Sequence, residues 1–335
     1  MIFSHPGPWQ QFSLRSDNRN LSVMELKSKY INEQYLFEAQ MAEVQHQHNI
    51  FMNGGGGGPQ PTTATPPVVI TDPDALAFIA ASGITDNTQK SAINSLVISL
   101  KGYSIWTKLS VIYPFVGGTA FTHKWNLKNP TDSNLTNRLE FSGVWTHNSN
   151  GITGNGTNTV ANTFFNPSVI RSFGVYARTG TSTGAFMGAT VRVDSGEGFY
   201  NGPYGIDFQG SQTYFINTNN IPNGAPPHTK GYITVNTLDG TNKAIKVYRD
   251  GIYIDTAHTP GIWPSTLDGG VPQMTIGATR ADYYTTEGDY DTTIYESTAT
   301  ANIAFAFMGD TLTATEAANL NTAMVAYQTT LGRQV

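Results

Sequence analysis

Five consecutive glycines, Gly54, Gly55, Gly56, Gly57 and Gly58, cut this chain in two. Glycine leaves the backbone free to rotate, and Pro59, Pro61, Pro66 and Pro67 stiffen the exit, so residues 54–71 read as a hinge and tether. On the N-terminal side, residues 22–53 carry the signature of one long amphipathic helix. Ser22 with Glu25 three residues later fits a capping box, Val23, Tyr30, Phe37, Val44 and Phe51 recur every seven residues, and Asn53-Gly54 supplies a stop. About thirty helical residues span about 45 Å. A helix with a single apolar stripe needs partners. The other heptad core position holds Leu26, Glu33, Gln40 and Gln47, which is not the apolar seam of a self-contained coiled coil. The readings left are a helix packed on other proteins, a loose polar trimer, or a helix folded back on its own chain. The tether argues against the last.

Residues 1–21 are polar and proline-broken but carry Phe3, Trp9 and Phe12. They read as an extended arm that orders on docking to a neighbour, against the alternative of a frayed tail. The helix positions Val23, Tyr30, Phe37, Val44 and Phe51 together with these aromatics are the candidate anchoring residues.

Composition narrows the class. Charged residues make up 13% of 335, about half the usual share, with Thr, Asn and Gly in their place. A net charge of −5 and the lack of a dense Lys/Arg cluster argue against nucleic-acid binding. With no cysteine there are no disulfides or thiolate metal sites. No apolar run reaches membrane-spanning length, and the first twenty residues lack the basic and apolar regions of a secretion signal. Work outside a cell would then be reached by assembly into a particle released by lysis.

Beyond the tether, residues 72–116 read as three short helices that cover something. Asp72-Pro73 is an N-cap and first-turn pair, a second helix starts near Asp86, and a third is expected over Ile105, Trp106, Leu109, Ile112 and Tyr113 up to Pro114. Residues 117–335 are β-rich, with short apolar runs broken by Asn, Gly and Asp clusters, as in a sandwich. Strands are expected at 139–141, 173–177, 189–193, 214–216, 231–235, 244–248, 252–255, 274–276 and 303–308. Arg249-Asp250-Gly251 reads as a hairpin turn, and Thr313 as the cap of a final helix holding Glu316, Leu320 and Met324.

Three stretches carry a family likeness: KAIKVYRDGIYIDTA (243–257), MTIGATR (274–280), and Phe307-Met308-Gly309 followed by LTATEAANL (312–320). They resemble the concanavalin A-like, laminin-G-type jelly-roll sandwich. DPDALAFIAASGITD (72–86), YSIWTKLSVIYPFVGGTAFTHKWNLKNP (103–130), WTHNSNGITGNGTNT (145–159) and the closing LGRQV resemble a domain of tailed-phage virion proteins, many from phages of Bacteroidetes. That likeness implies a structural virion protein, a fibre or spike-type appendage, often trimeric. It would be held to capsid, collar or tail by its N-terminus and would display the sandwich to host-surface glycan or protein. A decoration protein of head, collar or tail without a receptor is the alternative, and a depolymerase acting on surface polysaccharide is the third reading.

The chemistry-bearing residues are sparse. Asp282, Tyr283, Tyr284, Glu287, Asp289, Tyr290 and Asp291 form a Tyr/Asp stretch that reads as a loop and as the candidate ligand-binding site. Tyrosine offers contact area with little entropy to lose, which suits sugar or protein recognition, and equally fits an ordinary edge loop. The same acids are candidates for Ca²⁺, though without EF-hand spacing. Retaining glycoside cleavage needs two carboxylates about 5–5.5 Å apart, and the stretch lacks the alternating acidic strand of glycosidase relatives, so no catalytic residue is assigned. Trp145, Asn148, Asn150, Asn155 and Asn158 read as a rim loop or a turn. The histidines, His123 and His147 among them, read as isolated.

Overall fold

The computed structural model describes residues 68–166, 170–179, 185–194, 199–209, 213–216, 231–237, 245–253, 273–284, 290–296 and 298–335. The segments expected as an arm (1–21), a helix (22–53) and a glycine hinge lie outside them, with Phe3, Trp9, Phe12, Val23, Tyr30, Phe37, Val44, Phe51 and Gly54 to Gly58. So do Glu287 and Asp289. Residues Ile70–Val335 form one compact unit.

That unit is mainly β. Its strands are β1 (Leu109–Tyr113), β2 (Glu140–Ser142), β3 (Thr146–Asn148), β4 (Gly151–Thr153), β5 (Val160–Asn162), β6 (Ser172–Ala177), β7 (Ala185–Asp194) and β8 (Phe199–Gln209). There follow β9 (Thr213–Ile216), β10 (Gly231–Thr237), β11 (Ile245–Arg249), β12 (Ile252–Tyr253), β13 (Thr275–Ile276), β14 (Thr279–Tyr284), β15 (Tyr290–Glu296) and β16 (Asn302–Gly309). Among the described residues four helices accompany them: α1 (Pro73–Ser82), α2 (Asn87–Gly102), the single turn α3 (Ala120–His123) and α4 (Ala314–Thr330).

Two sheets form a sandwich, and each one forks. In the first, β12-β11-β10-β6-β16 run in order, and the far edge of β16 is shared by β4 at Asn302–Ile303 and β1 at Ala306–Gly309. In the second, β9-β8-β7 lead to an edge shared by β13 at Met187–Gly188 and, in parallel, β14 at Ala189–Val193. One hydrophobic core fills the space between, with Val111, Phe173, Val175, Ile303 and Met308 from the first sheet and Ala161, Met187, Ala189 and Ile276 from the second. Burial of this apolar surface is the main stabilising term.

Helix α4 covers the outer face of the first sheet, and α2 packs on α4. In β16, Ala306 and Met308 point to the sandwich core while Phe305 meets Tyr327 of α4 with ring centroids 6.3 Å apart. Covered on both faces, β16 is buried throughout, which explains its unbroken apolar sequence NIAFAFMG. Asp72 caps α1 by accepting from the Asp74 and Ala75 N–H groups, with Pro73 in the first turn, and Lys101 of α2 pairs with Asp72 at 2.7 Å. Thr313 and Glu316 close the capping box of α4, and Glu316 also holds Lys108 at 2.7 Å.

One expected element is overturned. Residues 105–113 are not a third helix: Trp106–Lys108 make a single 3-10 turn and Leu109–Tyr113 is β1, antiparallel to β16. The 3.6-residue spacing of Ile105, Leu109 and Ile112 imitates an amphipathic helix, but β16 has an open edge at 306–309 and the β-branched Val111 and Ile112 suit it. Residue 116 is consequently no domain boundary, since the preceding segment is hydrogen-bonded into the sheet.

Candidate functional site

The described residues of the Tyr/Asp stretch lie on two paired strands that make a hairpin. Thr279–Tyr284 and Tyr290–Glu296 pair antiparallel, with Asp282 opposite Thr293 and Ala281 opposite Ile294. The stretch hides its alternation because acids and threonines stand where apolar residues signal a strand, although Thr, Tyr and Ile all favour the pleated surface. Among the described residues, β15 has no strand on its outer side.

The two described acids of this hairpin differ sharply. Asp282 is buried, and both its oxygens are engaged: Oδ1 accepts from Arg280 Nε at 2.9 Å and from Thr293 Oγ1 at 2.6 Å, while Oδ2 accepts from Arg280 Nη2 at 3.2 Å. Register places Arg280 on the face of Ala189, a core residue, so this polar group sits where a sandwich ordinarily continues its apolar filling. Inward charges at a sheet margin discourage edge-to-edge association. Both Asp282 oxygens are thus engaged within the hairpin, and among the described residues no three His, Cys, Asp or Glu side chains group to hold a metal. Asp291, by contrast, is exposed on β15, as are Thr292, Ile294 and Tyr295. Tyr283 is half-buried on β14, and the backbones of Tyr284 and Tyr290 pair beside the hairpin's end. The structure thus brings Asp282, Tyr283, Tyr284, Tyr290 and Asp291 into one hairpin, and Ile294 and Tyr295 join its exposed strand.

The asparagine-rich segment is a turn system. Asn148 Oδ1 accepts from the Asn150 N–H at 2.8 Å in the β3–β4 connection, and Asn155 Oδ1 accepts from the Thr157 and Asn158 N–H groups at 2.9 and 3.1 Å. Trp145 is turned to the protein, its indole N–H donating to Ser142 O at 2.9 Å.

Two histidines that look isolated in sequence meet in space. His123 of α3 and His147 of β3 approach Nδ1 to Nδ1 at 3.0 Å, with the Phe141 ring edge-on to His147 at 4.7 Å and Phe115 edge-on to His123 at 5.9 Å. The Gly118 N–H donates to His123 Nε2 at 3.2 Å. Burial, then His147, then Arg333 lower the His123 pKa to about 3, and burial lowers that of His147. Arg333 itself is buried and, among the described residues, bonds carbonyls rather than a carboxylate. Its Nε donates to Gln328 Oε1 at 2.6 Å, Nη1 to Phe115 O at 2.7 Å and Ser149 O at 3.2 Å, and Nη2 to Pro114 O at 2.8 Å and Ala304 O at 2.9 Å. All five guanidinium N–H groups are thereby satisfied. No sequence signal announces either cluster, since the partners stand 24 residues apart for the histidines and up to 219 apart for Arg333.

No protein-family model matches the chain, and no curated protein matches it. Among solved structures, the Trypanosoma rangeli sialidase in complex with sialic acid aligns over 69% of this chain and 38% of its own at 11% identity, with a TM-score of 0.40. Domain 4 of the Geobacillus stearothermophilus GH43 extracellular arabinanase AbnA, in complex with arabinotriose, aligns over 64% of this chain and 98% of its own at 13% identity, with a TM-score of 0.31. The chain thus spans well under half of the sialidase.

Proposed function

We propose that this chain is a non-enzymatic structural protein of a tailed-phage virion, a fibre or spike-type appendage. Its N-terminal arm and helix anchor it to capsid, collar or tail, and its sandwich, of the concanavalin A-like, laminin-G type, engages host-surface glycan or protein. The observation that carries the reading is the β14–β15 hairpin. Its inner acid, Asp282, is consumed by Arg280 and Thr293, while Asp291, Thr292, Ile294 and Tyr295 face solvent on an edge strand. That outer set offers contact area and hydrogen bonding rather than proton transfer. The sequence organisation supports the anchoring half of the proposal: a helix that needs partners, then a glycine hinge. Several copies on one particle, as in a trimer, raise the effective concentration of weak sites without any new contact.

The test is saturable binding of the full chain to intact cells of the candidate host, with the mass of the same sample measured in solution. Binding by a trimer that the Asp291→Ala/Tyr295→Ala double variant loses, with its fold intact, is the expected result. A folded chain that binds no host surface replaces this reading with decoration without a receptor.

A further inference from the structure

The His123–His147 contact has a property that neither ring has alone. The Gly118 N–H points at His123 Nε2, so the neutral His123 ring carries its hydrogen on Nδ1. That Nδ1–H then donates to His147 Nδ1, which leaves the His147 hydrogen on Nε2. Both basic nitrogens of the pair therefore already face an N–H donor. Neither ring can accept a further proton while the geometry stands.

The surroundings decide which contact gives way. His123 is 1% exposed and pinned between Phe115 and Gly118, whereas His147 is half-buried on the short edge strand β3. The permanently charged Arg333, bonded to Phe115 O and Ser149 O, is the charged group facing the pair, and it opposes a second cation there. Among the described residues neither ring has a carboxylate partner to offset a charge. The backbone of residues 148–149 also lies against the loop below: a Cβ on Gly118 would sit 3.4 Å from Asn148 C and Ser149 N, and Gly118 has a φ of +80°. The β3 strand and its turn are held to the 114–123 segment by these few contacts.

We propose that the His123–His147 pair is an acid-released clasp, which holds β3 and its turn to the 114–123 segment near neutral pH and frees them when His147 takes up a proton. The clasp is independent of the attachment role proposed above. Folding favours the neutral rings, so the stabilisation is fully present above the ordinary histidine pKa of 6.5 and is lost as the pH falls below it through the value to which burial lowers His147. Uptake of one proton shifts the opening equilibrium about tenfold per pH unit across that window.

Hydrogen exchange on the full chain tests this, at about pH 7 and about pH 4.5, on either side of the histidine range, with each rate divided by the intrinsic rate at that pH. Protection of residues 146–150 is expected to drop by about tenfold or more in acid while β16 is unchanged. In His147→Asn, whose Oδ1 stands where His147 Nδ1 accepts from His123 but does not titrate, that drop is expected to vanish. Equal protection of 146–150 at both pH values overturns the clasp, as does a loss shared with β16 or an undiminished response in His147→Asn. Should that variant not fold, ring nitrogen spectra of the unaltered chain decide. Hydrogens on His123 Nδ1 and His147 Nε2 at neutral pH are expected, and the reverse tautomers overturn the clasp.

Discussion

Arg333 joins the C-terminal segment to three other parts of the fold. Its guanidinium bonds the carbonyls of Pro114 and Phe115 in the loop after β1, Ser149 beyond β3, and Ala304 in β16. Replacing it with Met leaves buried acceptors without donors, each worth about 1–3 kcal/mol, so Arg333→Met is expected to lower the unfolding free energy by about 3 kcal/mol or more. A urea titration measures this. Arg333→Lys is expected to lose nearly as much, because one ammonium cannot reach four separated carbonyls. Tyr327 stands beside this guanidinium, its hydroxyl donating to Pro114 O at 3.0 Å, and burial raises its pKa to about 12. A raised folded pKa means stability that is complete below the unfolded value of 10.0 and is lost as the pH climbs towards 12. Thermal unfolding between those values is expected to show a falling midpoint, and Tyr327→Phe to flatten part of that fall. Tyr113, also raised by burial, supplies more of it.

At the scale of elements, turns and caps do much of the specifying. Asp250 and Gly251 both have positive φ, 50° and 77°, which gives the two-residue turn that returns β11 into β12 with Arg249 opposite Ile252. A Cβ at Gly251 would lie 3.1 Å from Ala318 Cα and 3.2 Å from Asn321 Cβ of α4. Gly251→Ala is therefore expected to cost about 1–2 kcal/mol, from the left-handed backbone together with the crowding against α4. Thr313→Ala, which opens the capping box of α4, is expected to cost about 1 kcal/mol. Both are read from denaturant midpoints, and a neutral Gly251→Ala would show that α4 gives way at no cost.

For the whole compact unit, the decisive feature is that β16 is covered on both faces and along both edges. Helix α4 makes its outer cover, with α2 packed on α4 and α1 on α2, and β1 closes half of one edge. A fragment starting at residue 117 retains the other fifteen strands of the described residues but loses β1, α1 and α2. It is expected to expose the edge of β16 at 306–309 and the face of α4 that α2 covers, and to aggregate or remain unfolded, whereas residues 68–335 are expected to unfold in a single cooperative transition. Circular dichroism and light scattering on the two fragments check this. A stable, monomeric 117–335 would mean that the helices are an addition to the fold and not part of it.

What the sequence determined by itself is local. The Asp72-Pro73 and Thr313 caps, the Asp250-Gly251 turn, and the apolar runs at 173–177 and 303–308 are each written within a few adjacent residues, where backbone preferences act directly. What only the tertiary structure decided depends on pairing across long separations. LSVIY has helical spacing, yet it is a strand because β16, nearly two hundred residues later, leaves an edge to fill. Asp282 looks like a free acid until the strand register sets Thr293 beside it, and two solitary histidines become one unit when β3 folds over α3. Hydrogen-bond demand at an open edge and desolvation of a charge are properties of an environment, and no window of sequence contains that environment.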